Sequence, residues 1–204
     1  MRPLKIHMLI KDRIVLASKS PRRKMLLEGV GLNIEVISSN VKEVIEEGEN
    51  PFEFTKRVAV EKVLDVLDRI KPLDSVWIIG ADTVVVCQGR LLNKPVDSNE
   101  AKEMLALLSG KTHKVVTSFC ILNSKSRKEY IETVESFVTF RVMSQNEIYW
   151  YVNTEEPLDK AGAYGAQGFG TIFIEKIEGS YTNVVGLPLS QLMSALIKLG
   201  AVSF

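Results

Sequence analysis

Apolar and polar positions along this chain follow two different periods, and the places where the period changes mark the elements. Ile14 to Ala17 is a short apolar, β-branched run that predicts a strand. Behind it, Ser20 as N-cap and Pro21 at the first helical position open a helix through Met25, Leu26 and Leu27, which Gly29 and Gly31 stop. Ile34 to Ile37 predicts a second strand, and the acidic, polar stretch from Lys42 to Asn50 a surface loop. Asn50, Pro51 and Glu53 start a second helix, amphipathic through Val58, Val63, Val66 and Leu67 as far as Arg69, with Lys71 and Pro72 at its end.

Val76 to Ala81 is strongly apolar and runs into Asp82 and Thr83, so Asp82 is expected at the end of a core strand; Val84 to Val86 continues before a Gln88-Gly89 turn. Asp97 with Glu100 starts a third helix, which runs to Leu108 and stops at Ser109-Gly110. Val115 to Leu122 and Tyr130 to Val142 read as a long hairpin across the polar turn Asn123 to Arg127, and the Ser144/Glu147 pair as a capping box opening another helix. Asn153 to Gly170 has little periodicity and many glycines. Phe173 to Ile177 predicts a strand, Gly179 to Pro188 a polar loop, and Leu189 to Leu199 a last helix stopped by Gly200. Strands and helices mixed in this order indicate an α/β fold with at least one antiparallel hairpin in its sheet. With no internal repeat or low-complexity linker, residues 14–204 read as one domain behind an N-terminal extension, residues 1–13.

Composition narrows the partners. At 204 residues, 46% hydrophobic and 25% charged, the chain can bury a proper core, and disorder is not its default. A net charge of +1 lacks the basic excess of a general nucleic-acid binder, so any phosphate chemistry must come from a local cluster. No segment approaches the length of a membrane span, and Met1 to Arg13 carries no apolar run of signal-peptide length; a cytoplasmic address follows by elimination. Cys87 and Cys120 stand far apart in apolar runs, as buried reduced thiols do.

One such cluster is Ser18-Lys19-Ser20-Pro21-Arg22-Arg23, set between strand and helix. Unpaired amides at a helix N-terminus favour anions, and two guanidiniums with hydroxyls would hold phosphate oxygens. Basic side chains in a first helical turn oppose the helix dipole, which weighs against a merely solvated surface. Asp82 reads equally as a metal ligand or proton acceptor and as a turn or capping aspartate. Taken singly, Lys62 reads as a solvated helix face, Lys94 and Glu43 as no more informative, and His113 as structural. The glycines around Gln167 can bring backbone close to a ligand, but their spacing matches neither a Walker A loop nor GxGxxG; GxSxG and HExxH are absent too.

Taken together these segments resemble the Maf family of nucleotide pyrophosphatases from Ile14 to Gly200. The likeness rests on Ala17-Ser18-Lys19-Ser20-Pro21-Arg22-Arg23, Gly80-Ala81-Asp82-Thr83-Val84-Val85, Lys94-Pro95, and Ser109-Gly110 with His113. Most specific are Glu156 to Gly165 and Gly179-Ser180-Tyr181 with Val184 to Pro188. The resemblance implies an elongated, twisted mixed sheet flanked by helices, two lobes with a cleft, and often a homodimer. It also implies hydrolysis of a nucleoside triphosphate between the α and β phosphates with a divalent cation (Mg²⁺, Mn²⁺ or Co²⁺), in the sanitising of nucleotide pools. By it Asp82 is the proton acceptor, and Arg23, Lys62, Lys94 and Glu43 form the phosphate and metal shell, Asp82 and Glu43 being the metal ligands. Ser18 and Ser20 bind substrate, and Arg22, Thr83 and Gln167 match the positions that separate subfamilies; Arg22 with Gln167 resembles the dTTP/UTP branch. A glutamine amide can accept from uracil N3–H and donate to O4, which agrees with that branch. Asn93 stands before Lys94 where relatives frequently carry an acid. Two rival readings are the same chemistry on a methylated purine such as 7-methyl-GTP, and a nucleotide-binding regulator of cell division.

Overall fold

The computed structural model of the chain describes residues 8–71 and 73–204. Its first half runs β1 (Leu9–Ile10), β2 (Arg13–Leu16), α1 (Pro21–Gly29), β3 (Ile34–Val36), α2 (Pro51–Ile70), β4 (Val76–Cys87), β5 (Arg90–Leu92) and α3 (Ser98–Leu108). The second half runs β6 (Thr112–Asn123), β7 (Glu129–Phe140), α4 (Gln145–Val152), three 3-10 turns (Glu156–Asp159, Ala161–Ala163 and Gly168–Phe173), β8 (Ile174–Glu178), α5 (Tyr181–Val185), α6 (Leu189–Leu199) and β9 (Val202–Ser203). The helix starts follow the local chemistry. Ser20 accepts from the Arg23 amide, while Asn50 with Glu53 and Ser144 with Glu147 form complete capping boxes. Lys71 ends α2 in the left-handed conformation, its N–H on Leu67 O; Pro72, expected to share that role, lies outside the described residues.

The main sheet has the order β3-β2-β4-β6-β7-β8, with β5 on β4. β2 lies parallel to β3 and β4, and the remaining pairings are antiparallel, so the expected mixed α/β sheet is present. Helices cover both faces. On β4, Trp77, Ile79 and Ala81 pack with Leu27 of α1 and Leu192 and Leu196 of α6, whereas Val76 and Ile78 pack with Ala59, Val63 and Val66 of α2. A separate core at the other end joins Val85, Leu105 of α3, Tyr151 of α4, Val138 and Phe173, giving the second lobe.

Strand register makes the cleft. The short β2 accompanies β4 from Val76 to Ile79, and β5 joins β4 at Val85; β6 pairs with β4 from Trp77 to Val86 and so takes the opposite edge. Among the described residues no strand neighbours that first edge of β4 between Ile79 and Val85, and Asp82 and Thr83 lie in the gap. The expectation that Asp82 ends a strand is therefore corrected: β4 continues unbroken to Cys87, and the strand that ends beside Asp82 is β2. Alternation along β4 turns Asp82 to the α2 face and Thr83 to the α1 face.

Other elements escaped the periodicity. The expected loop Gly179 to Pro188 contains α5, capped by Ser180 Oγ, and the glycine-dense stretch is wound into the 3-10 turns. Leu9–Ile10, placed by sequence in the N-terminal extension, pair with Val202–Ser203; residues 1–7 of that extension lie outside the described residues. Cys87 and Cys120 are free buried thiols, as expected, and burial raises both.

Candidate active site

Gly80 decides how close α2 comes to β4. A Cβ there would lie 2.5 Å from Ala59 O and 2.7 Å from Val63 Cγ2, so the two backbones meet as only glycine allows. That approach carries Lys62 into the protein, where it is 5% exposed, which corrects the solvated-face reading. Its ammonium donates to Asp82 Oδ1 at 2.7 Å and to Ala81 O at 3.2 Å, and lies 2.6 Å from Glu43 Oε1. The second Glu43 oxygen accepts from Lys94, whose side chain is 56% exposed, at 3.1 Å. Glu43 thus hangs from the loop before α2 as a bridge between a buried lysine and a solvent-facing one.

The two carboxylates are pushed apart. Burial dominates at Asp82 and raises it above the ordinary aspartate range, against the pull of Lys62. Burial also raises Glu43, but the combined attraction and hydrogen bonds of Lys62 and Lys94 overcome it and hold the group down at about 2. Near neutral pH Glu43 is a fixed anion, while Asp82 binds a proton more readily than a free aspartate.

Arg23 forms the other wall. Its side chain is buried and each nitrogen has a partner: Nε donates to Gly186 O at 2.7 Å, Nη1 to Ser18 Oγ at 3.1 Å and Nη2 to Thr83 Oγ1 at 2.9 Å. Burial lowers its pKa, opposed by the Asp82 and Glu43 carboxylates. Thr83 also meets Thr117 Oγ1 at 3.0 Å, and Thr117 donates to Asn183 O, so α5 is tied to the sheet behind the guanidinium. Arg22 turns outward across the cleft mouth to Asp159 at 3.1 Å.

These groups enclose a cavity of about 470 Å³, within the range of small-molecule sites. Ser18 and Ser20 from the loop before α1 and Arg22 and Arg23 from its first turn line it, as do Glu43, Lys62, Asp82, Thr83 and Lys94. Nine of the ten expected site residues thus share one cavity. Gln167 is the exception: it is half-buried and stands one residue past Ala166, the last residue of its segment on the wall. Sequence reasoning missed Tyr164 and Gly186 on that wall, although both lie inside its most specific motifs. His113 is structural, as read: it is buried, its Nε2 is 2.8 Å from Tyr164 Oη, and burial pushes it down to about 4.

A divalent ion fits the donor chemistry in a limited sense. Asp82 and Glu43 are hard oxygen donors from different elements that already converge on one cationic atom, Lys62 Nζ. Among the described residues no group of three or more His, Cys, Asp or Glu side chains is disposed to hold a metal. Phosphate oxygens and water would have to complete the shell, as is usual for Mg²⁺.

Residues 13–199 match the family model described as Maf-like protein. A dTTP/UTP pyrophosphatase of Syntrophus aciditrophicus is 42% identical over 96% of this chain and 94% of its own length. Enzymes of the same name from Alkaliphilus oremlandii and Bacillus pumilus are 46% and 42% identical, covering 88% and 95% of this chain and 92% and 100% of theirs. Among solved structures, a dITP/XTP pyrophosphatase from Mycobacterium abscessus aligns over 92% of this chain and 97% of its own at 15% identity and a TM-score of 0.41, too distant to bear on the site. With the family model spanning nearly the whole chain, and relatives above 40% identity over nearly their full length, the chain belongs to the Maf-like protein family.

Proposed function

We propose that this protein is a nucleoside triphosphate pyrophosphatase that hydrolyses dTTP and UTP to the monophosphate and pyrophosphate. The observation that carries the reading is the buried Asp82–Lys62–Glu43 constellation facing Arg23 across one cavity, in a chain whose relatives bear that activity as their name. A triphosphate brings about four negative charges, and a cleft lined by Arg23, Lys62 and Lys94 favours their entry and stabilises charge as it builds on the leaving group.

Each residue has a task that follows from its surroundings. Water attacks the α-phosphorus, its proton passes to Asp82, and the P–O bond to the bridging oxygen breaks with its electron pair on pyrophosphate. Asp82 suits the acceptor role because burial raises its proton affinity towards the working range. Lys62 keeps that carboxylate aimed at the cavity, and Lys94 meets the outer phosphates at the solvent side. The amides and hydroxyls that open α1 add neutral donors for phosphate oxygens. Asp82 and Glu43 would hold a divalent cation, which when bound would offset phosphate charge and raise the electrophilicity of phosphorus. Gln167 would read the O4 and N3–H edge of the pyrimidine once the base lies along the Tyr164–Ala166 wall. Mg²⁺, Mn²⁺ or Co²⁺ as cofactor, a homodimer, the cytoplasm as workplace and nucleotide-pool cleaning as role belong to the same proposal.

The test is product analysis. Purified protein with UTP or dTTP and Mg²⁺ is expected to give monophosphate and pyrophosphate in equal amounts. Release of diphosphate and orthophosphate would place the cut elsewhere, and tight binding without turnover would point to a nucleotide-sensing regulator.

A further inference from the structure

The segment that would carry base recognition belongs to no strand or α-helix and only enters a 3-10 turn at Gly168, yet its backbone is tied down at four points. Glu156, at the start of the first 3-10 turn, accepts from Phe169 N at 2.9 Å through Oε2 and from Gly170 N at 3.1 Å through Oε1. Oε1 also accepts from Tyr151 Oη at 2.8 Å, and Tyr151 Oη in turn accepts from Gly165 N at 3.0 Å. Tyr181 Oη closes the set by donating to Ala166 O at 3.0 Å. The glycines fit this arrangement. Gly168 has a φ of +75° and a Cβ there would lie 2.5 Å from Glu156 Oε2, and one on Gly165 would lie 2.8 Å from Gln167 O and 2.9 Å from Oε1, so a side chain at either position would have to displace the carboxylate or the loop.

We infer that Glu156, with Tyr151 as its relay, is a positioning residue that sets base selectivity by fixing the Gly165–Gly170 segment against the cleft. The inference rests on the pyrimidine triphosphate reading above and extends it to residues outside the cavity lining. Glutamate is required for a chemical reason. The groups facing its two oxygens are all donors: the Phe169 and Gly170 N–H groups and the Tyr151 hydroxyl. Tyr151 cannot reverse its bond without cost, because its oxygen already accepts from Gly165. A glutamine at position 156 would set an NH₂ against at least one of these donors, and the loop would have to move to escape it. Gly165 and Ala166 form the cavity wall, with Gln167 next in line, so that movement reaches the base-reading end and leaves Asp82 and Lys62 in place. Tyr151 itself is buried in the second-lobe core through Phe173, which anchors the relay.

The experiment is steady-state kinetics of Glu156→Gln and Tyr151→Phe beside wild type on UTP, dTTP and CTP, with thermal melting of each protein. The expected result for Glu156→Gln is a rise in KM for UTP and dTTP of about tenfold, kcat within about twofold, and a fall in the UTP-to-CTP preference. Tyr151→Phe keeps the carboxylate but cuts the link to Gly165, and should move the same quantities in the same direction by less. Glu156→Asp retains the charge and should recover part of the preference. Unchanged KM and base preference in a folded Glu156→Gln, or an equal fall of kcat on every base, would overturn the assignment and leave the proposed reaction standing. Should Glu156→Gln fail to fold, Tyr151→Phe decides on the same criteria. A wild type that cleaves no pyrimidine triphosphate would remove the proposed function and this inference with it.

Discussion

The floor of the cleft and its glycine-rich rim are built in opposite ways. The floor places Asp82 and Thr83 in a twelve-residue strand, Lys62 on a twenty-residue helix and a buried Arg23 in the first turn of α1, each paired with protein groups. The rim, Gly165 to Gly170, has no sheet ladder; a carboxylate and two tyrosine hydroxyls hold it. The difference matches what each part must do. Every triphosphate presents the same phosphates, so in the proposed function their chemistry sits on rigid elements, whereas the base, which varies, would be met by a segment held outside the sheet.

The floor should break hardest. Asp82→Asn removes the proposed proton acceptor and should lower kcat/KM by about 10²- to 10⁴-fold on every substrate. Glu43 stays 2.6 Å from Lys62, so the buried ammonium keeps a partner and the variant should fold. In the proposed reaction the same residue would set the acid limb of wild-type activity. As the proposed proton acceptor Asp82 acts only as carboxylate; burial raises its pKa in the metal-free protein and a bound cation would lower it, so kcat/KM should fall as pH drops through the Asp82 pKa, and at a higher pH when Mg²⁺ is scarce than when it saturates. Asp82→Asn should lose that limb, and a pH–rate profile of both proteins checks it.

Arg23→Ala comes next. Losing charge-assisted bonds costs about ten- to a hundred-fold in kcat/KM, and the deleted side chain also releases Gly186 O, Ser18 and Thr83. Kinetics within about twofold of wild type would remove Arg23 from the phosphate site. Gly80→Ala tests the packing beneath. Its methyl would meet the α2 backbone, so chemical denaturation should show a stability loss of about 1–3 kcal/mol, typical of overpacking, and activity should drop as α2 and Lys62 are pushed away. A wild-type midpoint and wild-type turnover would refute the role given to that glycine.

The sequence revealed these two regions unequally. Ser20 and the Asn50–Glu53 and Ser144–Glu147 pairs were legible because a cap needs only neighbours three residues away. The burial of Lys62 was not. It depends on Gly80 in another element, and along α2 a lysine looks like any solvated lysine. Asp82 was found but misplaced, since the strand that stops beside it is β2, and pairing partners leave no trace in local periodicity. On the rim, glycine density announced close backbone approach but not what the backbone approaches; Tyr151 lies on a helix with nothing to set it apart from a core tyrosine. α5, five residues long, is too short for a helical period to show.

The measurement that most directly tests the division between floor and rim is kcat/KM on UTP, CTP and 7-methyl-GTP for wild type, Asp82→Asn and Gln167→Glu side by side. A glutamate at 167 keeps an acceptor for N3–H but loses the donor to O4, and its charge repels that carbonyl while favouring the amino group of cytosine. The account predicts that Asp82→Asn lowers all three substrates by a common factor, whereas Gln167→Glu shifts the UTP-to-CTP ratio by about tenfold or more. An equal fall on all three in Gln167→Glu, or a base-dependent fall in Asp82→Asn, would contradict it.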